Sequence, residues 1–347
     1  MAQINKPNTY FNIVTYTGNG STQSITGVNF QPDWVWFKNR TSAYSHKVYD
    51  VVRGVTKELD PDNTNAENTT TDEITSFDSD GFSVAGGSAV NQNTADIVAW
   101  NWLGGGTGVS NTDGSITSTV SANTTSGFSV VSFTGTQTLG ATVGHGLGAV
   151  PKVIIIKDRD NARNWNVYHA SVCDSDFKFL RINTTDGVIT GGATHFDISA
   201  MSSTVFGLGA DNESNPIASA IAYCFAEKKG FSKFGSYTGN GSADGTFVYT
   251  GFKPAFVMIK RTSGGTDSWY IYDTARAETN GNEVDIVLEA DVANIEFDTS
   301  GDLDFLSNGF KNRGTISVTN GSGENYIYMA FAENPLVGTN NIPTTAR

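Results

Sequence analysis

Short apolar runs punctuated by Gly, Asn, Asp and Ser follow one another along this chain, and three of them share one format. "PDWVWFKNR" (32–40), "PKVIIIKDR" (151–159) and "PAFVMIKR" (254–261) each place a lysine six residues after a proline. The β-branched and aromatic residues between them read as a central strand, with proline at its mouth, where no ladder donor is required. Lys38, Lys157 and Lys260 then mark the strand's exit to solvent, with Arg40, Arg159 and Arg261 close behind.

Further landmarks recur around each run in the same order. "FNIVTYTGNG" (11–20), "FSVVSFTGTQ" (128–137) and "FSKFGSYTGNG" (231–241) precede it, with Tyr16, Phe133 and Tyr237 lying 16, 18 and 17 residues before the proline. "HKVYD" (46–50), "WNVYH" (165–169) and "WYIYD" (269–273) follow, then "SFD", "HFD" and "EFD", which bring Asp78, Asp197 and Asp298 into register. "IVAWNW" (97–102), "AIAYCFAE" (220–227) and "YIYMAFAE" (326–333) close each copy. Trp102, Phe225 and Phe331 fall 86, 92 and 94 residues after the opening aromatic. Side chains at i and i+2 share a strand face, so Trp100 with Trp102, or Tyr223 with Phe225, can fill one side of a core.

The hexapeptide "YTGNGS" occurs at 16–21 and again at 237–242, and the middle copy reads "FTGTQT". Asn-Gly between alternating residues is a hairpin signal, and no helix pattern follows to supply a phosphate-binding N-terminus. A turn that loses its polar tip but keeps aromatic, Thr and Gly is a framework turn.

A unit of roughly 95–105 residues has the size of a small autonomous domain. The pattern predicts an all-β fold of three tandem antiparallel β-sandwich repeat domains, jelly-roll or lectin-like, at 1–103, 128–227 and 228–333, arranged as beads on a string. Residues 104–127 are Gly/Ser/Thr-rich and read as a linker, although "SITSTVSAN" alternates and also fits a strand laid on a neighbour. Residues 334–347 form a polar C-terminal tail that cannot build a core of its own.

Composition agrees with this picture. Charged residues are 16%, Gly numbers 38, and Ser, Thr and Asn fill the spaces between apolar runs, which disfavours helix. The net charge of −13 repels phosphate backbones and anionic membranes, so nucleic acid is not an expected partner. No run approaches the length needed to cross a bilayer, and the N-terminus shows no secretory pattern, so assembly in a cytoplasm is expected. Cys173 and Cys224 read as reduced, partly buried thiols.

Catalytic, cofactor and metal motifs are not recognisable. His46, His145, His169 and His195 form no metal-binding spacing and read as surface or strand-edge residues. Asp78, Asp197 and Asp298 recur in every copy, which points to turn caps rather than catalysis. "DPDNTNAE" (60–67) lacks the glycine and ligand spacing of a calcium loop and reads as an acidic turn. Trp34 and Trp36 occupy the slot of core residues in the other copies, whereas Tyr44 and Tyr270, near strand ends, are candidate exposed aromatic contacts.

"YTGNGSTQSITGVNFQPDWVWFKNR", "HKVYDVVRGVTKELD", "FDSDGFSV" and the ending "AFAENPLVGTNNIPTTAR" resemble repeat-built structural proteins of tailed phages of marine bacteria and cyanobacteria. The likeness spans essentially the whole chain and is closest in the first copy. It implies a non-enzymatic virion protein: a tail fibre or tail-associated host-recognition component, or alternatively a capsid decoration or cement protein. The expected partners are other virion proteins, a host surface glycan and further copies of the chain in a homo-oligomer.

Overall fold

The computed structural model describes residues 3–277 and 282–333, and the polar tail at 334–347 lies outside them. The landmark runs form twelve strands: β1 Phe11–Thr17, β2 Trp34–Asn39, β3 Lys47–Asp50, β4 Asp96–Trp102, β5 Phe128–Thr134, β6 Val153–Asp158, β7 Asn166–His169, β8 Ser219–Phe225, β9 Ser232–Thr238, β10 Pro254–Arg261, β11 Tyr270–Asp273 and β12 Asn325–Ala332. All pair antiparallel, and one order recurs: β1-β4-β2-β3, β5-β8-β6-β7 and β9-β12-β10-β11. The opening and closing strands of each copy are thus neighbours, with the Pro/Lys strand inside. The protein is all-β, with several antiparallel sheets.

Flanking strands extend the second and third sheets to eight strands. The third adds Glu283–Glu289, Phe297–Leu306, Gly309–Asn312 and Phe247–Tyr249, and curls nearly into a barrel. The second adds Val109–Asn111 and Ser118–Asn123 on one side, the latter paired with β5 along its whole length. The stretch 104–127 therefore contains two strands of the second sheet.

Each four-strand set is buried on both faces, and alternation decides which residue goes where. In the first set Val35, Phe37, Ile97 and Ala99 pack with Phe82 and Val84 of a second layer. Their neighbours Trp34, Trp36, Trp100 and Trp102 face the other way, into a core that also holds Phe225, Phe256 and Phe331. Double-sided burial explains why these strands read as unbroken apolar runs.

The beads-on-a-string arrangement expected from the repeat is not what forms. The inward faces of the three sets share one core, centred on the aromatic that closes each copy. Trp102, Phe225 and Phe331 make a triangle with ring centroids 6.4, 5.6 and 6.0 Å apart. Trp34 stacks on Tyr223 at 4.5 Å and Phe11 on Phe331 at 5.0 Å, so neighbouring sets interdigitate. Sheets with apolar residues on both faces cannot stand as separate beads without exposing one face to water.

The hexapeptide is also not a hairpin, because β1 pairs with β4 and β9 with β12, and the strand after each "YTGNGS" pairs elsewhere, Gln23–Thr26 with Gly81–Val84 and Phe247–Tyr249 with Gly309–Asn312. Its tip is clasped by a buried asparagine. Asn91 accepts from the Asn19 amide at 3.0 Å and donates to Ser21 O, and Asn320 does the same for Asn240 and Ser242. In the middle copy Asn215 accepts from the Thr136 amide at 2.8 Å and donates to Thr138 O. The shared glycine is required by close approach: a Cβ would lie 2.1 Å from Gln92 O at Gly18, 2.2 Å from Pro216 O at Gly135 and 2.4 Å from Gly321 O at Gly239. Gly20 and Gly241 have φ near +65°, and Gln137 keeps that left-handed backbone at φ 54° where Asn-Gly has been lost.

Because the core is shared, Trp102→Ala should lower one unfolding transition of the whole chain by about 3–5 kcal/mol. Scanning calorimetry checks this, and two or three separate transitions, with only one displaced, would contradict it.

Candidate functional site

Lys38, Lys157 and Lys260 follow the inward-facing positions of β2, β6 and β10 by two residues, so they point toward the shared core. All three are fully buried, contrary to the solvent exit expected for them. Each ammonium is satisfied by backbone carbonyls, one of them from a neighbouring set. Lys38 Nζ donates to Asn39 O and Tyr44 O at 3.0 and 2.7 Å, and to Ala293 O at 3.0 Å. Lys157 Nζ donates to Asn161 O, Arg163 O and Thr64 O at 3.3, 2.8 and 3.2 Å. Lys260 Nζ donates to Asp267 O and, at 2.7 Å, to Thr185 O. Burial pulls all three down to about 8.

Adjacent groups cross the same seams in the same sense. Trp165 Nε1 donates to Asp60 O and Trp269 Nε1 to Arg181 O, both at 2.9 Å. His46 occupies the equivalent slot and meets Glu289 O at 2.9 Å through Nε2. Trp36 Nε1 donates to His46 Nδ1, so the ring proton sits on Nε2 and donates to that carbonyl. Arg40 pairs with Glu296 at 2.7 Å, and Arg159 grips Glu67 with two bonds of 2.7 and 2.8 Å. Arg261 departs from the pattern and pairs within its own copy, with Asp267 and Glu324.

Contacts from the Asp50 position run in the opposite sense. Tyr223 OH donates to Asp50 Oδ2 at 2.9 Å, Trp100 Nε1 donates to Asp273 Oδ2 at 3.0 Å, and His169 Nε2 lies 3.4 Å from Tyr328 O. The seams join first copy to third, second to first and third to second, which closes a ring.

The other residues singled out in the sequence fall as follows. Tyr16 OH and Tyr237 OH donate to Val90 O and Thr319 O, each in a short helix, while Phe133 packs edge-on against Phe206. Asp78 accepts from Ser83 Oγ, Asp197 caps a 3-10 turn through the Ser199 amide, and Asp298 accepts from the Ser300 amide. Tyr44 is 37% exposed, but Tyr270 is 9% exposed, its ring set edge-on to Tyr272 and Phe297, so it is not an exposed contact. Asp60 of the acidic turn is tied to Lys47 at 2.8 Å and receives the Asn63 and Asn65 amides. Cys173 and Cys224 are free and buried. None of the four histidines lies at the surface; the most exposed, His195, is at 4%.

Two features have the chemistry of a site. The first is an open cleft of about 460 Å³ where the second and third copies meet. Ser171, Ser236, Thr238, Thr262, Ser263 and Asn325 line it with hydroxyl and amide groups, beside the framework residue Tyr237. The Lys178–Asp174 pair, at 2.8 Å, completes the lining. The second brings His195, Asp211 and Glu213 together, their ligand atoms within 4.8 Å of one another. Neither follows from a local motif.

Residues 6–335 match a family described as a domain of unknown function (DUF7483). No curated protein and no solved structure matches the chain.

Lys157→Met would leave three carbonyls inside a seam without a donor and should destabilise the protein by about 2 kcal/mol at pH 7. Lys6→Met, at an exposed position, should stay within about 0.5 kcal/mol of the parent. A lysine whose folded pKa lies below its unfolded one contributes stability that is full above the unfolded value and lost as pH falls through the folded one. Stability should therefore rise between pH 8 and about 10, less steeply in Lys157→Met. Urea titrations across that range check both points.

Proposed function

We propose, for a chain that belongs to this family of unknown function, a non-enzymatic structural role in a tailed-phage particle. It serves as a tail-fibre or tail-associated host-recognition component whose body is three β-sandwich repeats, jelly-roll or lectin-like in layering, locked into a ring. The observation that carries the reading is the ring of seams. The lysine in all three copies is spent on joining one copy to the next, which suits a body that must stay folded outside a cell. The resemblance of the "YTGNGS…PDWVWFKNR" region to phage structural proteins supports the same reading.

The cleft between the second and third copies suits the recognition half of the proposal. Hydroxyls, an amide and one lysine–aspartate pair offer donors and acceptors without a strong field. That is the lining a neutral polyhydroxylated ligand, such as a surface glycan, requires. Its walls are ends of rigid strands, and binding groups held by a rigid framework lose little entropy on engagement. A capsid decoration role is the second reading, favoured by the lack of any extended shaft among the described residues.

Immunogold labelling of intact particles should place the protein on tails, and purified protein should bind host cells. Ser263→Trp, which fills the cleft, should weaken that binding by at least about tenfold while leaving the unfolding transition in place. Label on heads would favour the decoration reading; no label on particles would end both.

A further inference from the structure

We infer that His195, Asp211 and Glu213 form a binding site for one divalent first-row transition ion, such as zinc or manganese. The site lies in the second copy and is independent of the virion reading.

His195 enters the Phe196–Asp197 strand with its backbone fixed on all sides. Its amide donates to Asp176 O at 2.8 Å, and its carbonyl accepts from Ser214 Oγ at 2.7 Å and the Gly209 amide at 3.1 Å. The ring lies against Phe179, at a centroid separation of 3.5 Å, and cannot swing away. The residue is 4% exposed, yet its Nδ1 has no hydrogen-bond partner. A buried, unpartnered imidazole nitrogen costs free energy unless something outside the chain satisfies it.

That nitrogen faces Asp211 Oδ1 at 3.6 Å. The distance is too long for a hydrogen bond. An ion, by contrast, needs only the lone pair that Nδ1 leaves without a partner. The separation suits two ligands of one ion: bonds of about 2.1 Å at a tetrahedral angle span about 3.4 Å. A neutral imidazole with a free lone pair is the ligand form.

The two carboxylates are held as ligands usually are. The Glu213 amide donates to Asp211 Oδ1 at 2.7 Å, and the Asn215 amide to Asp211 O at 3.0 Å, folding the short loop onto His195. Glu213 Oε1 accepts from Asn164 Nδ2 and Oε2 from Arg181 Nη2, both at 2.8 Å, leaving a lone pair on each oxygen. Such outer bonds orient ligating carboxylates. Among the described residues Arg181 is the arginine or lysine paired there, so one guanidinium faces two carboxylates and leaves the cluster short of positive charge, which a divalent ion supplies. One imidazole and two carboxylates suit zinc or manganese and leave a further position open.

The test is equilibrium dialysis and titration calorimetry of the full, tag-free chain with Zn²⁺, Mn²⁺ and Ca²⁺, each as the chloride. One equivalent of zinc or manganese should bind, with a rise in unfolding temperature. Asp211→Asn, at a partly exposed position that should keep the fold, should weaken binding by at least about 100-fold, and Asn164→Ala by about 10-fold. His195→Gln should abolish it. Cobalt(II) should give visible ligand-field bands that Asp211→Asn removes, a readout that stability changes do not produce. Failure to bind either transition ion, binding of calcium alone, or binding that Asp211→Asn leaves unchanged would overturn the site.

Discussion

An ammonium group without water must find acceptors, and this protein builds its joints around that requirement. Lys38, Lys157 and Lys260 sit two residues beyond inward-facing core positions, so alternation sends them into the interior. Leaving a buried ammonium bare would cost several kcal/mol. Each lysine therefore needs loops shaped to present carbonyls, and its own copy supplies only part of the set. The remainder comes from Ala293, Thr64 or Thr185 in a neighbour. A copy on its own would lack that acceptor.

The aromatic centre follows from the same geometry. Once the lysines fix each sheet against its neighbour, the inward positions one strand over meet on a common line, where Trp102, Phe225 and Phe331 touch one another. The outward faces are closed separately, by a small second layer in the first copy and by the curled eight-stranded sheet in the third. Double-sided burial supplies stability, and directional bonds at the seams supply register.

Much of this was legible in the sequence. Spacing from Tyr16, Phe133 and Tyr237 to the proline, and from there to Trp102, Phe225 and Phe331, located the recurring strands. The fate of the lysines was not, because a lysine ending a strand ordinarily leaves for water. The carbonyl that each takes from a neighbouring copy lies 255, 93 or 75 residues away in the chain. One signal was present: Lys38 shares the face of Trp34 and Trp36. His46, aligned with Trp165 and Trp269, was likewise a hint that the position needs a ring N–H rather than a histidine's charge. The asparagines that clasp the turns carry no local motif, and Asp211 and Glu213 meet His195 only through the loop leading to Asn215, where the other copies have short helices ending in Asn91 and Asn320. Tyr270 failed as an exposed aromatic because Phe297 of the "EFD" landmark packs edge-on against it, a contact that spacing along the chain does not reveal.

A ring closed within one chain should open as a unit rather than copy by copy. Native-state hydrogen exchange in low urea tests that claim most directly. Amides of β2, β6 and β10 should converge on one opening free energy, equal to that of global unfolding, as urea is raised. Three different opening free energies, with one of these strands exchanging while the other two remain protected, would show that the copies are independent and contradict the account.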